Sequence, residues 1–285
     1  VTQGHEVSGQ VAEIGPDVKN LKVGQKVTIE PQVVCGKCYP CRHGKYNLCE
    51  KLKVMGFQTT GTASEYFAVE ESKVTALPDE MDYNDGAMIE PLAVTVHAAK
   101  HYEHLEGANV AVLGCGPIGI LLAQTCKALG AAKVMITDVS DYRLDLAKKM
   151  GATATVNLKE QNLEDVMKEQ KIIEGFDVGC EMSGNPAALT QMIDHMRNGG
   201  KISLLGISSR SEVQLNMNKV IWNGLTMQGI YGRKMYETWY KMMSLVEAGF
   251  DLTPVITHRF HYTDFEKGFA AMNSGKSGKV VLSWI

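Results

Sequence analysis

Short segments of alternating hydrophobic and polar residues dominate the first third of the chain. Residues 7–14 alternate with a period of two and end at Gly15 and Pro16, and residues 26–29 and 65–69 follow the same pattern. Successive side chains of a strand point to opposite faces, so this pattern predicts short strands separated by glycine and proline turns. We therefore expect an irregular, barrel-like β-domain over residues 1–90.

From residue 108 onward, unbroken apolar segments alternate with helical ones. The predicted strands are 109–113, 133–138, 153–156, 176–180, 201–205 and 225–229, and the predicted helices are 118–129, 140–150, 162–169 and 186–196. An apolar segment without polar alternation is typical of a strand that is buried on both faces. Strands that alternate with helices predict a doubly wound parallel sheet, an α/β fold. A further helix is predicted over 239–246, followed by strand-like segments.

Four cysteines lie within fifteen residues, as Cys35-x2-Cys38-x2-Cys41-x7-Cys49. Four thiolates can close a tetrahedron around Zn(II) and leave no position for a substrate, so this spacing favours a structural zinc site. An iron–sulfur cluster and four metal-free thiols are the alternative interpretations. The chain has seven cysteines in all, and an odd number with one tight cluster indicates metal binding in a reducing compartment. We therefore expect the protein in the cytoplasm.

A glycine-rich motif separates the predicted strand 109–113 from the helix that follows it. The motif is Gly114-Cys115-Gly116-Pro117-Ile118-Gly119. Gly114 permits a tight turn, Gly116 lets the backbone approach a pyrophosphate, and Gly119 lets the helix pack close to the strand. Asp138 ends the next strand, where a carboxylate meets the ribose hydroxyls, so NAD is favoured over NADP. Arg143 could instead accept a 2′-phosphate, and a glycine turn without nucleotide is the other alternative.

Composition and charge exclude several classes of partner. The 285 residues have a formal net charge of -3, 45% hydrophobic residues and 21% charged residues. A basic face for nucleic acid is therefore not expected, and the longest apolar segments fall short of the roughly 18 residues that a membrane span needs. At about 150 residues per domain, the length predicts about two domains. A small molecule is the expected partner.

Two further motifs, Gly4-His5-Glu6 and Glu90-Pro91, are weak signals by themselves. Adjacent residues of a regular strand point to opposite faces, so His5 and Glu6 reach one metal ion only if the chain bends. Gly4 makes such a bend plausible.

The chain carries Gly4-His5-Glu6, the four-cysteine loop, Glu90-Pro91 and the glycine-rich turn, and in this order they resemble the zinc-dependent medium-chain dehydrogenases. The resemblance covers the whole chain and begins inside the catalytic domain of that family. It implies a GroES-like catalytic domain over 1–92, a Rossmann NAD-binding domain over 93–230, and a return to the catalytic domain over 231–285. It also implies a homo-oligomer, with a tetramer as the usual state.

The resemblance implies a catalytic zinc ion held by His5, Glu6 and Glu90, together with a cysteine further upstream. No cysteine precedes His5 in this sequence, and the upstream Ser or Thr that relays the alcohol proton is also missing, so we expect the N-terminal segment to be absent. The resemblance further places a set of residues near the cofactor. They are Ser183, Gly206, Ile207, Ile230 and Tyr231. The alternatives are strand core for residues 205–207 and a subunit interface for Tyr231 and Arg233.

The implied reaction is NAD-dependent oxidation of a secondary alcohol, and two substrate classes stay open. Segments of the second half, among them 136–138, 181–184, 229–233 and 256–260, are similar to the family members that oxidise threonine. In the first half, Gln32 stands where those members commonly have a histidine. Two segments there, Glu30-Pro31 and residues 90–94, are more similar to the sorbitol and polyol dehydrogenases. Threonine is the first choice and a polyol the second. A non-catalytic remnant that binds zinc and NAD is the alternative from another class.

Overall fold

The computed structural model describes residues 1–100, 102 and 104–284. Its strands and helices, in chain order, are β1 (Ser8–Gln10), β2 (Lys26–Ile29), β3 (Gln32–Val33), α1 (Tyr39–Arg42), β4 (Lys53–Val54), β5 (Val74–Ala76), α2 (Tyr83–Ala87), α3 (Ile89–Lys100), β6 (Asn109–Leu113), α4 (Pro117–Ala128), β7 (Lys133–Asp138), α5 (Asp141–Lys149), β8 (Ala154–Asn157), α6 (Leu163–Glu169), β9 (Phe176–Glu181), α7 (Pro186–His195), β10 (Met196–Leu204), α8 (Met217–Trp222), β11 (Thr226–Gly229), α9 (Glu237–Glu247), β12 (Ile256–His261), α10 (Phe265–Asn273) and β13 (Lys279–Ser283).

The chain forms two compact units. Unit 1 contains residues 1–94 and 232–253 and the last residues from 283, and unit 2 contains 95–231 and 254–282. The chain first leaves unit 1 within helix α3, so the two units are not consecutive halves of the sequence.

Unit 1 is built from short strands and irregular loops, as the sequence predicts. Strands β1, β2 and β5 form an antiparallel sheet in the order β1-β2-β5, and β3 pairs with β4. The predicted strand over residues 65–69 is wrong, because these residues pair with no strand among those described. Alternating hydrophobicity favours a strand, but a ladder of hydrogen bonds also needs a partner strand. The strand predicted over 7–14 is shorter, since only Ser8–Gln10 pairs with β2.

Unit 2 is a Rossmann-type α/β layer, and it confirms the predicted fold class. In the described part of the chain its sheet has six parallel strands in the order β11-β10-β9-β6-β7-β8. Residues 110–113 of the central strand β6 are at most 2% exposed, which accounts for its unbroken apolar sequence. The chain runs from β6 outward to β8 and then returns to place β9 beside β6. A crevice for ligands is expected at this reversal, at the carboxyl ends of β6 and β9.

The segment 254–282 packs with unit 2. The hydroxyl of Ser140 donates to the carbonyl of Gly275 at 2.9 Å, and Nε of Arg143 donates to the carbonyl of Ser277 at 3.3 Å. This segment therefore borders helix α5. Among the helices of the described residues, none combines the length and the apolar character that crossing a bilayer requires.

Candidate zinc and dinucleotide sites

The four cysteines of residues 35–49 come together in unit 1. Their sulfur atoms all lie within 4.8 Å of one another, with Cys38 Sγ 3.4 Å from Cys41 Sγ and 3.9 Å from Cys49 Sγ. Zn–S bonds of about 2.3 Å in a tetrahedron place the sulfurs about 3.8 Å apart, so the residues fit a closed zinc site. Helix α1, which begins after Cys38, and the 3-10 turn before Cys49 bring these ligands to one point.

The surroundings of the cysteines change the pKa values of two of the four thiols. The N–H groups of Lys37 and Cys38 donate to the sulfur of Cys35 and lower the pKa of that thiol to about 6. Burial raises the pKa of the Cys41 thiol to about 12. The Cys35 thiol therefore loses its proton more readily than an ordinary cysteine, and the Cys41 thiol less readily, so binding of a cation would favour the thiolate form of Cys41.

His5, Glu6 and Glu90 form a second group in unit 1. Their ligand atoms lie within 4.8 Å of one another, and His5 Nε2 is 3.9 Å from Glu90 Oε1. The bend expected before His5 is present, since Gly4 has a φ of +92°. Bonds of about 2.0–2.2 Å would bring the ligand atoms to about 3.5 Å apart, so the three side chains fit a metal ion after a small closure. Glu90 lies in the first turn of α3 and is 6% exposed.

A buried arginine, which the sequence did not indicate as part of this site, contacts Glu90. Arg233 is 2% exposed, and its Nη1 donates to Glu90 Oε1 at 2.6 Å. Its other guanidinium nitrogens bind Glu30. Burial inside unit 1 shows that the interface alternative is wrong for Arg233, because a side chain enclosed by its own chain has no surface to offer to another subunit.

The glycine-rich turn follows β6 in unit 2 and leads into α4. Gly114 has a φ of +101°, and a Cβ at Gly119 would lie 1.9 Å from the carbonyl oxygen of Gly114. At Gly116 a Cβ would meet no described atom within 4 Å, so space is present above this residue. Gly116 is the N-cap of α4, and Pro117 and Ile118 begin the helix. The helix N-terminus therefore presents backbone N–H groups to open space, which fits a pyrophosphate.

Asp138 closes the neighbouring turn at the end of β7. Its Oδ2 accepts from the N–H of Cys115 at 2.7 Å, and its Oδ1 accepts from the N–H groups of Val139 and Ser140 at 2.7 and 3.1 Å. The carboxylate is thus fixed beside the glycine turn, where a ribose is expected. Arg143 in α5 donates instead to the carbonyl of Ser277.

The turn after β9 packs against the glycine turn, and a buried carboxylate that the sequence analysis missed holds this turn in place. A Cβ at Gly114 would lie 3.0 Å from Ser183 Cβ, so the two turns are in contact. Glu181 is 3% exposed, and its Oε1 accepts from the N–H groups of Ser183 and Gly184 at 2.8 and 3.1 Å and from the Ser183 hydroxyl. The signal that the sequence offers is a glutamate directly after the predicted strand 176–180 and just before Ser183-Gly184.

The remaining predicted cofactor residues lie at the same carboxyl edge of the sheet. A Cβ at Gly206 would lie 2.2 Å from the N–H nitrogen of Gly184, so the turns after β9 and β10 are in contact. Ile207 is 90% exposed, so the strand-core interpretation is wrong for this residue. Ile230 is buried and its N–H donates to the carbonyl of Leu204 at 2.8 Å, whereas Tyr231 is exposed.

Two family models match the chain. The alcohol dehydrogenase GroES-like domain matches residues 1–79, and the zinc-binding dehydrogenase domain matches residues 117–248. The L-threonine 3-dehydrogenase of Shewanella baltica is 47% identical over 281 residues, which cover 99% of this chain and 82% of that protein.

Solved structures of several sugar-alcohol and diol dehydrogenases are also similar. Galactitol-1-phosphate dehydrogenase from Escherichia coli has a TM-score of 0.90 and 29% identity, over 99% of this chain and 84% of that one. The 2R,3R-butanediol dehydrogenase from Bacillus subtilis has a TM-score of 0.88 and 31% identity, over 99% of this chain and 80% of that one.

Proposed function

Because this chain belongs to the zinc-binding dehydrogenases, we propose that it oxidises the secondary alcohol of L-threonine with NAD and forms 2-amino-3-oxobutanoate. The observation that carries the substrate is the 47% identity to the Shewanella baltica L-threonine 3-dehydrogenase, over 99% of the chain. Identity to the structures of dehydrogenases that act on other alcohols is lower, at 29% and 31%.

His5, Glu6 and Glu90 are the protein ligands that we assign to the catalytic zinc. Zinc bound there supplies a Lewis acid, which lowers the pKa of the alcohol oxygen. The two carboxylates carry two negative charges against a divalent ion, and His5 adds a neutral nitrogen ligand. The four sulfurs of Cys35, Cys38, Cys41 and Cys49 would hold a structural zinc and would leave no open position for a substrate.

The cofactor residues act by shape and charge. NAD supplies the hydride acceptor. The turn from Gly114 to Gly119 leaves space for a pyrophosphate, and Asp138 offers the ribose a carboxylate that repels a 2′-phosphate. Ser183, Gly206, Ile207, Ile230 and Tyr231, together with Arg143, complete the set that we assign to the same edge.

The test is NADH formation by the full-length protein on L-threonine, sorbitol, galactitol and 2,3-butanediol. We expect kcat/KM on L-threonine to exceed that on each polyol by at least about tenfold, since a site built to bind a polar group rejects molecules without it. A preference for a polyol would overturn the threonine assignment and support the second candidate, which the Glu30-Pro31 motif and the solved structures favour.

A matched variant tests whether the protein is a catalyst or a binding remnant. His5→Ala should abolish turnover because it removes a zinc ligand, and it should leave one zinc ion on the four cysteines. If the parent protein binds zinc and NADH but turns over none of these alcohols, the remnant interpretation is correct.

We also propose the domain ranges, the assembly and the compartment. Residues 1–92 and 231–285 form the GroES-like catalytic domain, and residues 93–230 form the Rossmann domain. A homotetramer in the cytoplasm is the state that we propose. Strand β11 lies at one edge of the described sheet, and an edge strand can pair with a strand of another chain, which supports association. The seven free cysteines fit a reducing compartment. Light scattering on the purified protein should give the mass of four chains.

A further inference from the structure

Four buried polar side chains converge in unit 1 from distant parts of the sequence. Glu30 follows β2, and Glu90 lies in the first turn of α3. Arg233 precedes α9, and Trp239 lies in α9. Their exposures are 2%, 6%, 2% and 4%. Buried charges are costly unless they are paired and hydrogen-bonded, so this group needs an explanation beyond packing.

Glu30 is satisfied entirely within the chain. Its Oε1 accepts from the N–H of Gln32 at 2.9 Å and from Arg233 Nη2 at 2.8 Å. Its Oε2 accepts from Arg233 Nε at 3.2 Å and from the indole N–H of Trp239 at 2.9 Å. A carboxylate has about four acceptor sites, and all four are used here. The arrangement therefore fixes the guanidinium of Arg233 in one orientation.

The third nitrogen of that guanidinium points to the group that we assign to the catalytic zinc. Arg233 Nη1 donates to Glu90 Oε1 at 2.6 Å, and the same oxygen lies 3.9 Å from His5 Nε2. Arg233 thus connects two carboxylates. One is Glu90, which lies near His5, and the other is Glu30, whose remaining hydrogen-bond partners lie outside the metal site. The indole ring of Trp239 also lies beside the guanidinium, with the Arg233 Cζ 5.7 Å from the ring centre.

The formal charges of these side chains indicate why Arg233 is paired with Glu30. Glu6 and Glu90 offer two negative charges to a divalent cation, and the positive charge of Arg233 would oppose that cation if it stood alone. Glu30 supplies the charge that balances Arg233. Without Glu30, the guanidinium would be free to turn both of its outer nitrogens to Glu90 and to compete with the metal for that carboxylate.

We propose that Glu30 is a positioning residue for the catalytic metal site, acting through Arg233 with the help of Trp239. It neutralises and orients the guanidinium, which holds one oxygen of Glu90 beside His5 while the cation is bound. This inference rests on the proposed function, because it takes His5, Glu6 and Glu90 as the zinc ligands.

The experiment compares three variants of the full-length enzyme. Glu30→Gln removes the charge and places an amide against two N–H donors, and Trp239→Phe removes a single donor and keeps the aromatic packing. Glu71→Gln is the matched control in the same unit, since Glu71 accepts from the backbone N–H groups of Lys19 and Asn20 and lies outside the cluster. Each protein is loaded with zinc, dialysed against a chelator and assayed for zinc per chain.

We expect the parent enzyme and Glu71→Gln to keep two metal ions. Glu30→Gln should release one ion about ten to one hundred times faster and keep the ion of the four cysteines, because loss of an outer partner of a metal ligand costs that much affinity or activity. The kcat of Glu30→Gln should fall by a similar factor with an unchanged KM for NAD. Trp239→Phe should change both quantities in the same direction by a smaller factor.

A cobalt-loaded sample supplies a readout that a purely structural role would not change. The visible spectrum of cobalt in the site of His5 should shift in Glu30→Gln and Trp239→Phe and remain unchanged in Glu71→Gln. If Glu30→Gln does not fold, the metal retention and the cobalt spectrum of Trp239→Phe test the proposal. Parent-like metal retention and spectrum in the folded variants would overturn the inference alone. A parent enzyme with a single metal ion would overturn the catalytic zinc site of the proposed function together with this inference.

Discussion

The carboxylate of Asp138 holds a local turn, and we propose that it also determines the choice of cofactor. It accepts the N–H groups of Cys115, Val139 and Ser140, so its position is fixed before any nucleotide binds. Asp138→Ala should weaken NAD binding by about ten- to one hundredfold, the usual effect of losing hydrogen bonds to a charged group. In the same variant, the Kd for NADP divided by the Kd for NAD should also fall.

Asp138→Asn separates the charge from the turn. The amide oxygen can still accept the N–H of Cys115, but the group no longer repels a 2′-phosphate. NADP binding should therefore improve relative to NAD. The amide nitrogen then faces the N–H groups of Val139 and Ser140, so a lower Tm is also expected. Tighter binding of NADP than NAD by the parent protein would refute the role of Asp138. Fluorescence titration of the parent protein and of Asp138→Asn with each of the two nucleotides measures the four Kd values.

The glycines of the turn have two different roles, which a pair of variants can distinguish. A Cβ at Gly119 would overlap the carbonyl of Gly114 at 1.9 Å, whereas a Cβ at Gly116 would enter space that is open among the described residues. Gly119→Ala should lower the stability of unit 2 by about 1–3 kcal/mol or more, as overpacking does. Gly116→Ala should keep the parent Tm and weaken NAD binding, because its methyl group occupies the space of the phosphates. Equal Tm values for the two variants would contradict this division.

Residues whose chemistry depends on near neighbours in sequence could be predicted, and residues paired over long distances could not. Four cysteines within one loop identify a zinc site because a short loop can bring them together by itself. Glu30 and Arg233 are separated by 203 positions, so neither residue signals its partner in the sequence. Glu181 was missed for another reason, since its carboxylate serves the turn that follows it and only the fold reveals that this turn contacts Gly114.

At the scale of elements, the strands of unit 2 were predictable and those of unit 1 less so. Strands such as β6 are buried on both faces, and their apolar sequence alone is diagnostic. Helix α3 was missed because it is buried around much of its circumference, with residues 92, 93, 96, 98 and 99 fully buried. Its sequence therefore lacks the clear alternation of an apolar and a polar face that identifies a surface helix. Residues 65–69 have the alternation of a strand but no partner among the described strands.

A strained turn joins Arg233 to the helix that carries Trp239. Tyr236 has φ +65° and ψ -55°, and the N–H of Glu237 donates to the carbonyl of Met235 at 2.8 Å, which is the geometry of a γ-turn. The Tyr236 ring packs edge-to-face on Tyr46 of the cysteine loop, with ring centres 6.3 Å apart. Positive φ in a residue other than glycine costs about 1–3 kcal/mol, and the surrounding packing must sustain it.

Glycine and alanine at this position should therefore rank in an unusual order. Tyr236→Gly and Tyr236→Ala both lose the contact with Tyr46, but only glycine relieves the strain. Tyr236→Gly should be the more stable of the two by about 1 kcal/mol in urea denaturation. The same pair at Tyr240, an exposed position inside α9, should show the opposite order by about 1 kcal/mol. Alanine more stable than glycine at both positions would show that the turn is unstrained.

At the scale of the whole molecule, we expect the two units to depend on different ligands for their stability. The sites assigned to zinc lie in unit 1, and the residues assigned to NAD lie in unit 2. A ligand stabilises the folded state that binds it, by about 2.7 kcal/mol at a concentration one hundred times its Kd. Metal and nucleotide should consequently protect different segments of the chain, although unit 1 is assembled from separate parts of the sequence.

Hydrogen exchange measured by mass spectrometry tests this division. Cys41→Ser, or removal of zinc by a strong chelator, should speed exchange across residues 35–49 and leave residues 110–120 unchanged, because the cysteine loop depends on its metal for folding energy. NADH should slow exchange at residues 113–120, 138–143 and 181–184 and leave the cysteine loop unchanged. Cys126→Ser is the matched control, since Cys126 is a buried cysteine of α4 outside the zinc loop and its loss should not change the zinc content. Faster exchange at residues 113–120 after zinc removal alone would show that the metal also supports the dinucleotide site, and the separation of the two ligand effects would be wrong.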